Sequence, residues 1–487
     1  MSKHDVIIAG GGLGGLETAL VLSKEGMNVC VLERCKQAGG LLQSFRRHNK
    51  IMDTSIHYVG SMDKGEALDR YFRYFGIADE IDTVRLDQNC YDNIILDDSR
   101  YSFPMGLENF EEYLKSRFPS ERRVIPVYCK YIREAGMLSD LENLKNGLFN
   151  MDYMDYYTVS ASDIIRDNIK DPALFDALWG TSLLYAGIEK ITPFYIHAIT
   201  LYSNLKGAYR FRGGTKSITD ALIGKIEQNG GTVMRGTEVA RIVVGDDRTK
   251  GVVTADGTYF ESDSVISDIH PIETFRILDK SARLKPSFIS RITSEDNTYG
   301  LFCLYLTMKP GSFRYINQNF FIRKGNKRVN YVLLSMQPPA DGGEFAEVVT
   351  IVTPIPYSAI EMWSDTHIGD RGAEYIDYKE RMSEEILDFV SDDFPDIKSA
   401  VDHKYTATPL TFRDYTKTPQ GSAYGIQKNC NKPYSTFIAG RTKLPGLFLT
   451  GQNINVHGVL GVTITSLLTC ADLLGSDYLI NRIKEKA

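Results

Sequence analysis

The spacing of apolar residues predicts a buried βαβ unit at the start of the chain. Residues Val6–Ala9 and 29–32 are short apolar runs, long enough only for buried strands. Between them, Leu16, Leu20 and other apolar residues recur at helical spacing, and Gly26 marks the expected end of that helix. Two apolar strands joined by a helix are typical of a parallel sheet that is covered on both faces.

Later segments extend this sheet. The pattern predicts a helix over 217–228, strands over 232–234, 265–267 and 447–450, a hairpin around Gly245-Asp246-Asp247, and a long apolar helix from about Gly458. We therefore expect an α/β fold with a Rossmann-like nucleotide-binding domain. That domain would be built from three discontinuous segments, 1–79, 206–275 and 436–487.

Two insertions of different character separate these segments. The region 80–205 is mostly helical in pattern and rich in Tyr, Phe and Met. The region 276–435 contains strand-like runs at 301–307, 331–336 and 348–353. We expect an α+β substrate domain, with an antiparallel sheet from the second insertion and a helical subdomain from the first.

Composition excludes several classes of protein. The chain has 487 residues, with 56 Lys and Arg against 62 Asp and Glu, so no global basic field favours a nucleic-acid partner. Its seven cysteines form no CxxC pair and its eight histidines show no paired ligand spacing, which indicates reduced thiols and no metal site. The chain enters its first strand at once, without a signal-peptide pattern, so we expect a cytoplasmic protein.

One apolar segment is similar in composition to a membrane-spanning helix. Residues Gly458–Leu474 carry a single charge, Asp472, but barely approach the roughly 20 residues that a span requires. The glycines and threonines in this segment favour a buried helix that covers a ligand.

The first motif with a chemical meaning is the glycine loop at residues 10–15. Gly10, Gly12 and Gly15 satisfy G-x-G-x-x-G, which permits a tight turn and close approach of the backbone to a pyrophosphate. The following helix directs its N–H groups at such phosphates, and Glu33 at the end of the second strand can accept both ribose hydroxyls of an adenosine. The alternative is a plain glycine turn with a solvated glutamate. This motif alone does not separate FAD from NAD.

Further motifs resemble one family along the whole chain. They are Gly39-Gly40-Leu41, the stretch Asp53-Thr54-Ser55-Ile56-His57-Tyr58, Tyr101-Ser102-Phe103-Pro104, Arg212-Gly213-Gly214 and the closing run from Leu444 to Asn453 with Gly458 and Gly461. The sequence resembles the FAD-dependent phytoene desaturase, carotenoid isomerase and retinol saturase family, with amine oxidases as more distant relatives. The Asp53–Tyr58 stretch most resembles the all-trans-retinol 13,14-reductase branch.

This resemblance implies a set of cofactor-binding residues. FAD would be held by Gly10, Gly12, Leu13, Gly14, Gly15, Glu33, Arg34, Gly39, Gly40, Leu41, Ser55, Ile56, Val239, Gly451, Gln452, Asn453, Gly461 and Val462. Two of these depart from the family pattern. Asn453 stands where an aspartate is common, and Ser55 replaces a usual glycine.

The resemblance also implies a reaction class. We expect a FAD-dependent oxidoreductase that saturates, desaturates or isomerises carbon–carbon bonds of a hydrophobic isoprenoid, retinoid or carotenoid-like substrate by hydride transfer at flavin N5. His57 is the candidate catalytic residue, because histidine titrates near neutrality, although a structural histidine is the alternative. Glu189 and Asp268 are weaker candidates for an acid or base.

The implied partners are a hydrophobic small molecule and a transient external electron donor or acceptor, since no second glycine motif offers a nicotinamide domain. A lipid substrate also predicts peripheral membrane contact. The aromatic stretch at 149–157 either contributes to such contact or simply packs the helical region. Three alternatives stay open: a flavin amine oxidase, a non-catalytic prenyl-protein binder of the GDP-dissociation-inhibitor type, and a nicotinamide dehydrogenase.

Overall fold

The structure is a computed structural model that describes residues 3–148, 151–325 and 327–486, so Phe149 of the aromatic stretch lies outside the described residues. The strands are β1 Val6–Ala9, β2 Val29–Glu33, β3 Ser44–Arg47, β4 Lys50–Asp53, β5 Thr83–Arg85, β6 Asp92–Leu96, β7 Ser99–Phe103, β8 Tyr209–Phe211, β9 Thr232–Arg235, β10 Val239–Gly245, β11 Arg248–Thr254, β12 Tyr259–Glu261, β13 Val265–Ser267, β14 Gly300–Met308, β15 Asn319–Arg323, β16 Tyr331–Met336, β17 Val348–Ile355, β18 Val401–Ala407 and β19 Leu447–Leu449.

The helices, apart from short 3-10 turns, are α1 Leu13–Lys24, α2 Ala67–Phe75, α3 Leu107–Arg117, α4 Ile125–Gly136, α5 Met154–Thr158, α6 Ala161–Asn168, α7 Pro172–Trp179, α8 Phe194–Leu205, α9 Lys216–Gln228, α10 Pro271–Arg276, α11 Pro286–Thr293, α12 Ala373–Ser391, α13 Ile397–Ala400, α14 Pro409–Thr416, α15 Pro433–Thr436, α16 Gly458–Leu474 and α17 Ser476–Lys486.

The first sheet has five strands, all of them parallel. Its strand order is β19-β13-β1-β2-β9, and every neighbouring pair is parallel. Strands β1, β2, β13 and β19 are buried along their whole length, because helices cover both faces of a parallel sheet. Helix α1 packs against α9 and α16. The predicted α/β class is therefore confirmed, and the strands come from three separate parts of the chain.

A predicted hairpin lies beside this sheet. Strands β10 and β11 pair antiparallel and connect through Asp246 and Asp247, which both have positive φ. Two positive φ values at the tip are typical of the tight turns that match the twist of a hairpin.

The second sheet has seven strands in the order β18-β14-β17-β16-β15-β6-β7. Its pairs are antiparallel except β15 with β6. Strands β6 and β7 belong to the region 80–205, for which the sequence predicted mostly helix. That region contains α3 to α8, and this hairpin is the part of it that joins the sheet. The Asp97-Asp98 turn, with φ of 47° at Asp97, lets the chain reverse there, and the buried Ile94 and Ile95 anchor β6 in the sheet.

The remaining helices of the first insertion pack on this sheet through a shared apolar core. Tyr157 is buried in the apolar core around the parallel sheet, and the ring of Tyr156 contacts that of Phe194. These contacts are typical of a helix that packs against the rest of the protein. Helix α16 spans 17 residues and is buried over most of its length. In the described ranges, no helix is long and apolar enough to cross a membrane.

Candidate cofactor-binding site

A cavity of about 460 Å³ lies at the carboxyl ends of the parallel strands. Ligands of open α/β sheets bind at this edge, because the strand order reverses there and leaves a crevice. Of the predicted residues, fourteen line the cavity: Gly10, Gly12, Leu13, Gly14, Glu33, Arg34, Gly39, Gly40, Leu41, Ile56, Val239, Gln452, Asn453 and Val462.

The glycine loop is packed so tightly that side chains would not fit. A Cβ on Gly15 would lie 2.2 Å from the carbonyl oxygen of Gly10, and one on Gly14 would lie 2.8 Å from the Cα of Gly451. Gly15 therefore allows the turn itself and does not face the cavity. Helix α1 begins at this loop, where the Asp268 carboxylate accepts hydrogen bonds from the backbone N–H groups of Gly12 and Gly15. Leu13 and Gly14 line the cavity beside it, and a helix N-terminus favours a phosphate.

The Glu33 carboxylate is fixed at the end of β2 by backbone donors. The N–H of Gly11 donates to its Oε2 at 2.8 Å and the N–H of Cys35 donates to its Oε1 at 2.6 Å. Each carboxylate oxygen keeps a further lone pair for a ligand hydroxyl. The neighbouring Arg34 side chain donates to the carbonyl of Tyr415 at 2.7 Å and so ties β2 to the end of α14.

The segment after β2 forms a second wall. Gly39 and Gly40 have φ of 113° and 55°, a backbone conformation that glycine adopts without strain. The N–H of Gly39 donates to the carbonyl of Gly11 at 2.7 Å, which holds this segment against the glycine loop. Nearby, the buried Ser55 hydroxyl has no hydrogen-bond partner among the described residues, and its neighbour Ile56 lines the cavity.

His57 lies behind this wall, in a separate void of only about 10 Å³ that Arg210 also lines. Desolvation, with a smaller contribution from the Arg210 charge, lowers the pKa of His57 to about 4. The ring is therefore neutral at pH 7, whereas the sequence alone indicated a group that titrates near neutrality. Arg210 is only 2% exposed, and its Nε has no partner in the described part of the chain.

The closing segment completes the cavity from the far end of the sequence. Gln452, Asn453 and Val462 line it, while a Cβ on Gly461 would lie 2.7 Å from Val456 Cγ1, so Gly461 serves the packing of α16. Gly451 likewise packs, with a Cβ position 2.2 Å from Asp268 Oδ1.

Asn453, which stands where an aspartate is common in the family, helps to hold the closing segment in place. The Asn453 Oδ1 accepts a hydrogen bond from the N–H of Ile426 at 3.1 Å. Behind it, the buried Lys428 ammonium donates to the carbonyls of Thr436, Asn453 and Ile454 at 2.6, 2.9 and 3.0 Å. Desolvation lowers the pKa of Lys428 to about 7. These bonds hold the closing segment against the loop that contains Ile426 and Lys428.

Sequence reasoning missed several wall residues. Asp268, considered only as a weak acid or base candidate, lies at the end of β13, where desolvation raises its pKa to about 7. Its position after a buried parallel strand was the signal that could have identified it. Others are His270, Glu273, Arg276, Tyr415 and Lys417. The second weak candidate, Glu189, is exposed and pairs with Arg166 at 2.8 Å.

The donor set fits a dinucleotide and no metal. A glycine cradle closed to side chains, a helix N-terminus and a carboxylate with free lone pairs are what a pyrophosphate and a ribose require. Across the part of the chain that the structure describes, no group of His, Cys, Asp and Glu could hold a metal ion. All seven cysteines are free thiols.

Comparisons with known proteins agree with this geometry. The chain is 25% identical to the all-trans-retinol 13,14-reductase of Danio rerio, over 96% of this chain and 86% of that protein. It is 23% identical to the chloroplastic prolycopene isomerase 1 of an Oncidium hybrid cultivar, over 99% of this chain and 85% of that protein. The solved structure of putrescine oxidase bound to putrescine shares the fold, with a TM-score of 0.66 at 14% identity, covering 97% of this chain and 99% of that one.

The family is given by a match of residues 13–278, more than half of the 487, to the flavin-containing amine oxidoreductase model. With the fold, the cavity and these relatives, the chain belongs to the flavin-containing amine oxidoreductase family, and its cofactor is a flavin.

Proposed function

We propose that this chain is a FAD-dependent oxidoreductase that acts on carbon–carbon bonds of a hydrophobic isoprenoid, retinoid or carotenoid-like molecule. The observation that carries the proposal is the cavity, in which the glycine loop, Glu33 and the closing segment meet. The names of the relatives, a retinol reductase and a prolycopene isomerase matched over nearly the whole chain, support the substrate class.

FAD is proposed over FMN because the cavity reaches beyond the phosphate loop. Glu33 and Val239 lie on its wall at the ends of β2 and β10, where an adenosine would be held. The Glu33 carboxylate can accept the two ribose hydroxyls and would repel a 2′-phosphate.

The chain's own groups would bind and orient this cofactor. The N–H groups at the start of α1 would hold the pyrophosphate, and Gly458 and Val459 bring the positive end of α16 to the wall. A helix end of this kind favours a negative charge by about 0.3–2 kcal/mol. Bound FAD would supply the hydride chemistry at its N5 atom, which no side chain can perform.

His57 is proposed as an orienting group and not as a proton donor. A neutral imidazole can donate one hydrogen bond and accept one, while the cationic Arg210 beside it disfavours protonation. Since the chain has no second G-x-G-x-x-G motif, we propose that an external electron donor or acceptor binds transiently.

The first test is the visible spectrum of freshly purified protein, followed by identification of the nucleotide that heat releases. We expect a flavin spectrum and FAD. The loaded protein is then incubated anaerobically with reduced dye and all-trans-retinol or a linear polyene, and loss of the polyene absorbance is measured. A protein that binds no flavin, even after incubation with FAD, would refute the proposal. Peroxide release from amines without any polyene turnover would favour the amine oxidase alternative.

A further inference from the structure

A second cavity of about 560 Å³ adjoins the cofactor cavity. The two share Gly40, Leu41, Gln43, Tyr415 and Thr416 as a common wall. The rest of the second cavity comes mainly from β3, β18 and α14, with Tyr305 from β14 and Lys379 from α12. Its volume is in the range of sites that enclose a ligand of drug size.

Aromatic rings form much of its surface. They are Phe45, Tyr305, Tyr405, Phe412 and Tyr415. Phe45 and Tyr305 meet edge to face, with ring centroids 5.0 Å apart. The Tyr305 hydroxyl is occupied, since it donates to the carbonyl of Thr54 at 2.8 Å. The rings therefore offer a fixed apolar surface to a ligand.

The charged residues of this cavity all carry the same sign. Arg47, Lys379 and Lys404 line it, and no Asp or Glu does among the described residues. Lys404 already pairs with Glu380 and Glu384. Lys379 is half-buried, and within the described residues no carboxylate lies within 4.0 Å of its ammonium group. Arg47 is exposed and likewise has no ion pair among the described residues. Desolvation, with the nearby Arg371 charge, lowers the pKa of Lys379.

A partly desolvated cation without a counterion is costly, and an anion that reaches it offsets that cost. A neutral hydroxyl would leave the charge uncompensated. A protonated amine, the substrate of an amine oxidase, would be repelled by the unpaired charges of Lys379 and Arg47.

We infer that this second cavity binds the substrate, and that the substrate is an apolar chain ending in a carboxylate held by Lys379 with help from Arg47. This inference rests on the proposed function and specifies its substrate class as an isoprenoid or retinoid-like acid. The carboxylate lies at Lys379, and the apolar chain runs along the aromatic rings to the wall at Leu41 that is shared with the cofactor cavity.

The test compares two probes with the same chain, all-trans-retinoate and all-trans-retinol, binding to the flavin-loaded protein at low salt. Affinity is measured by quenching of protein fluorescence. We expect retinoate to bind about tenfold tighter, as for one charge-assisted contact. Lys379→Gln should remove that advantage and leave retinol affinity unchanged, while Lys379→Arg should retain it. Arg47→Gln should weaken retinoate by about threefold, since an exposed contact is worth less.

The matched control is Lys398→Gln, which removes an exposed lysine that pairs with Asp388 and does not line the cavity. It should change neither affinity. Equal binding of the two probes to the unmodified protein, or an equal loss of both in Lys379→Gln, would overturn the inference. The flavin spectrum of the same samples reports separately on the proposed function, because Lys379 does not line the cofactor cavity.

Discussion

At the scale of single residues, the shape of the cofactor site depends on glycines, which have no Cβ atom. Gly15 lies in the first turn of α1, and a Cβ there would lie 2.2 Å from the carbonyl oxygen of Gly10. Backbone atoms cannot move aside as a flexible side chain could, so the loop itself would have to open. The effect of an added methyl group at this position should therefore fall on cofactor binding as well as on stability.

We expect Gly15→Ala to be purified without flavin and to be destabilised by roughly 1–3 kcal/mol, the usual cost of overpacking. Absorbance at 450 nm per protein and the urea midpoint check this. The control is Gly224→Ala on α9, where an added Cβ meets nothing within 4 Å. That variant should keep its flavin and gain about 0.5–1 kcal/mol, because alanine is the better helix former. Normal flavin content in Gly15→Ala would contradict this account of the loop.

The sequence predicts some residues of the candidate site better than others. Glu33 was predictable because it follows a local strand–loop–helix–strand pattern, and its carboxylate is at the cavity wall. Asp268 lies 235 residues further along, and only the pairing of β13 with β1 brings it to the same loop. No local period encodes such a pairing. The pKa of His57 also depends on Arg210, 153 residues away, so the sequence pattern carried no sign of its neutral state.

At the scale of elements, the contact between α1 and α16 contains an ionisable group where apolar packing is expected. Glu17 is fully buried and accepts a hydrogen bond from the Thr463 hydroxyl at 2.7 Å, while its Oε2 has no partner in the described residues. Desolvation, only partly offset by the hydroxyls of Thr463 and Ser466, raises the pKa of Glu17 to about 8. The side chain is therefore mostly protonated at pH 7.

This raised pKa makes stability depend on pH. The native state holds the Glu17 proton more tightly than the unfolded chain, so the stabilising contribution is complete below about pH 4.5 and is lost as pH rises to about 8. Glu17→Gln has no proton to lose, and its stability relative to the unmodified protein should rise by about 1.4 kcal/mol per pH unit across that window. Urea midpoints between pH 5 and 8 measure the difference.

The control for this variant is Glu227→Gln, the same substitution at an exposed position on α9. Its stability curve should run parallel to that of the unmodified protein. If the Glu17→Gln curve is also parallel, Glu17 does not hold a proton in the native state, and the charge is compensated by some other route.

At the scale of the whole molecule, the cofactor cavity depends on parts of the chain that are far apart in sequence. Its wall takes residues from 10–56, 238–277, 415–418 and 452–462. A ligand that spans the cavity therefore connects the loops around the parallel sheet to the end of α14. Because it binds only the folded chain, it should stabilise the protein against global unfolding.

We expect FAD to raise the thermal midpoint of flavin-stripped protein more than FMN does at the same concentration. FMN lacks the adenosine that would contact Glu33 and Val239, so its affinity should be lower. At a concentration of 100 times Kd, a ligand adds about 2.7 kcal/mol. Differential scanning fluorimetry gives both shifts, and the Gly15→Ala variant, which should respond to neither, is the control. Equal shifts from FAD and FMN would contradict the proposed adenosine end.

The βαβ unit, the glycine loop, Glu33 and the α/β class could be predicted from the chain alone, because they depend on periodicity and on residues close along the chain. The closing segment and the antiparallel sheet were also indicated. The folded arrangement was needed to show that β6 and β7 join that sheet, that Lys428 holds the closing segment, and that Lys379 from α12 shares a cavity with Phe45. The physical reason is that strand pairing and burial bring together residues hundreds of positions apart, and desolvation there sets charges that no local pattern records.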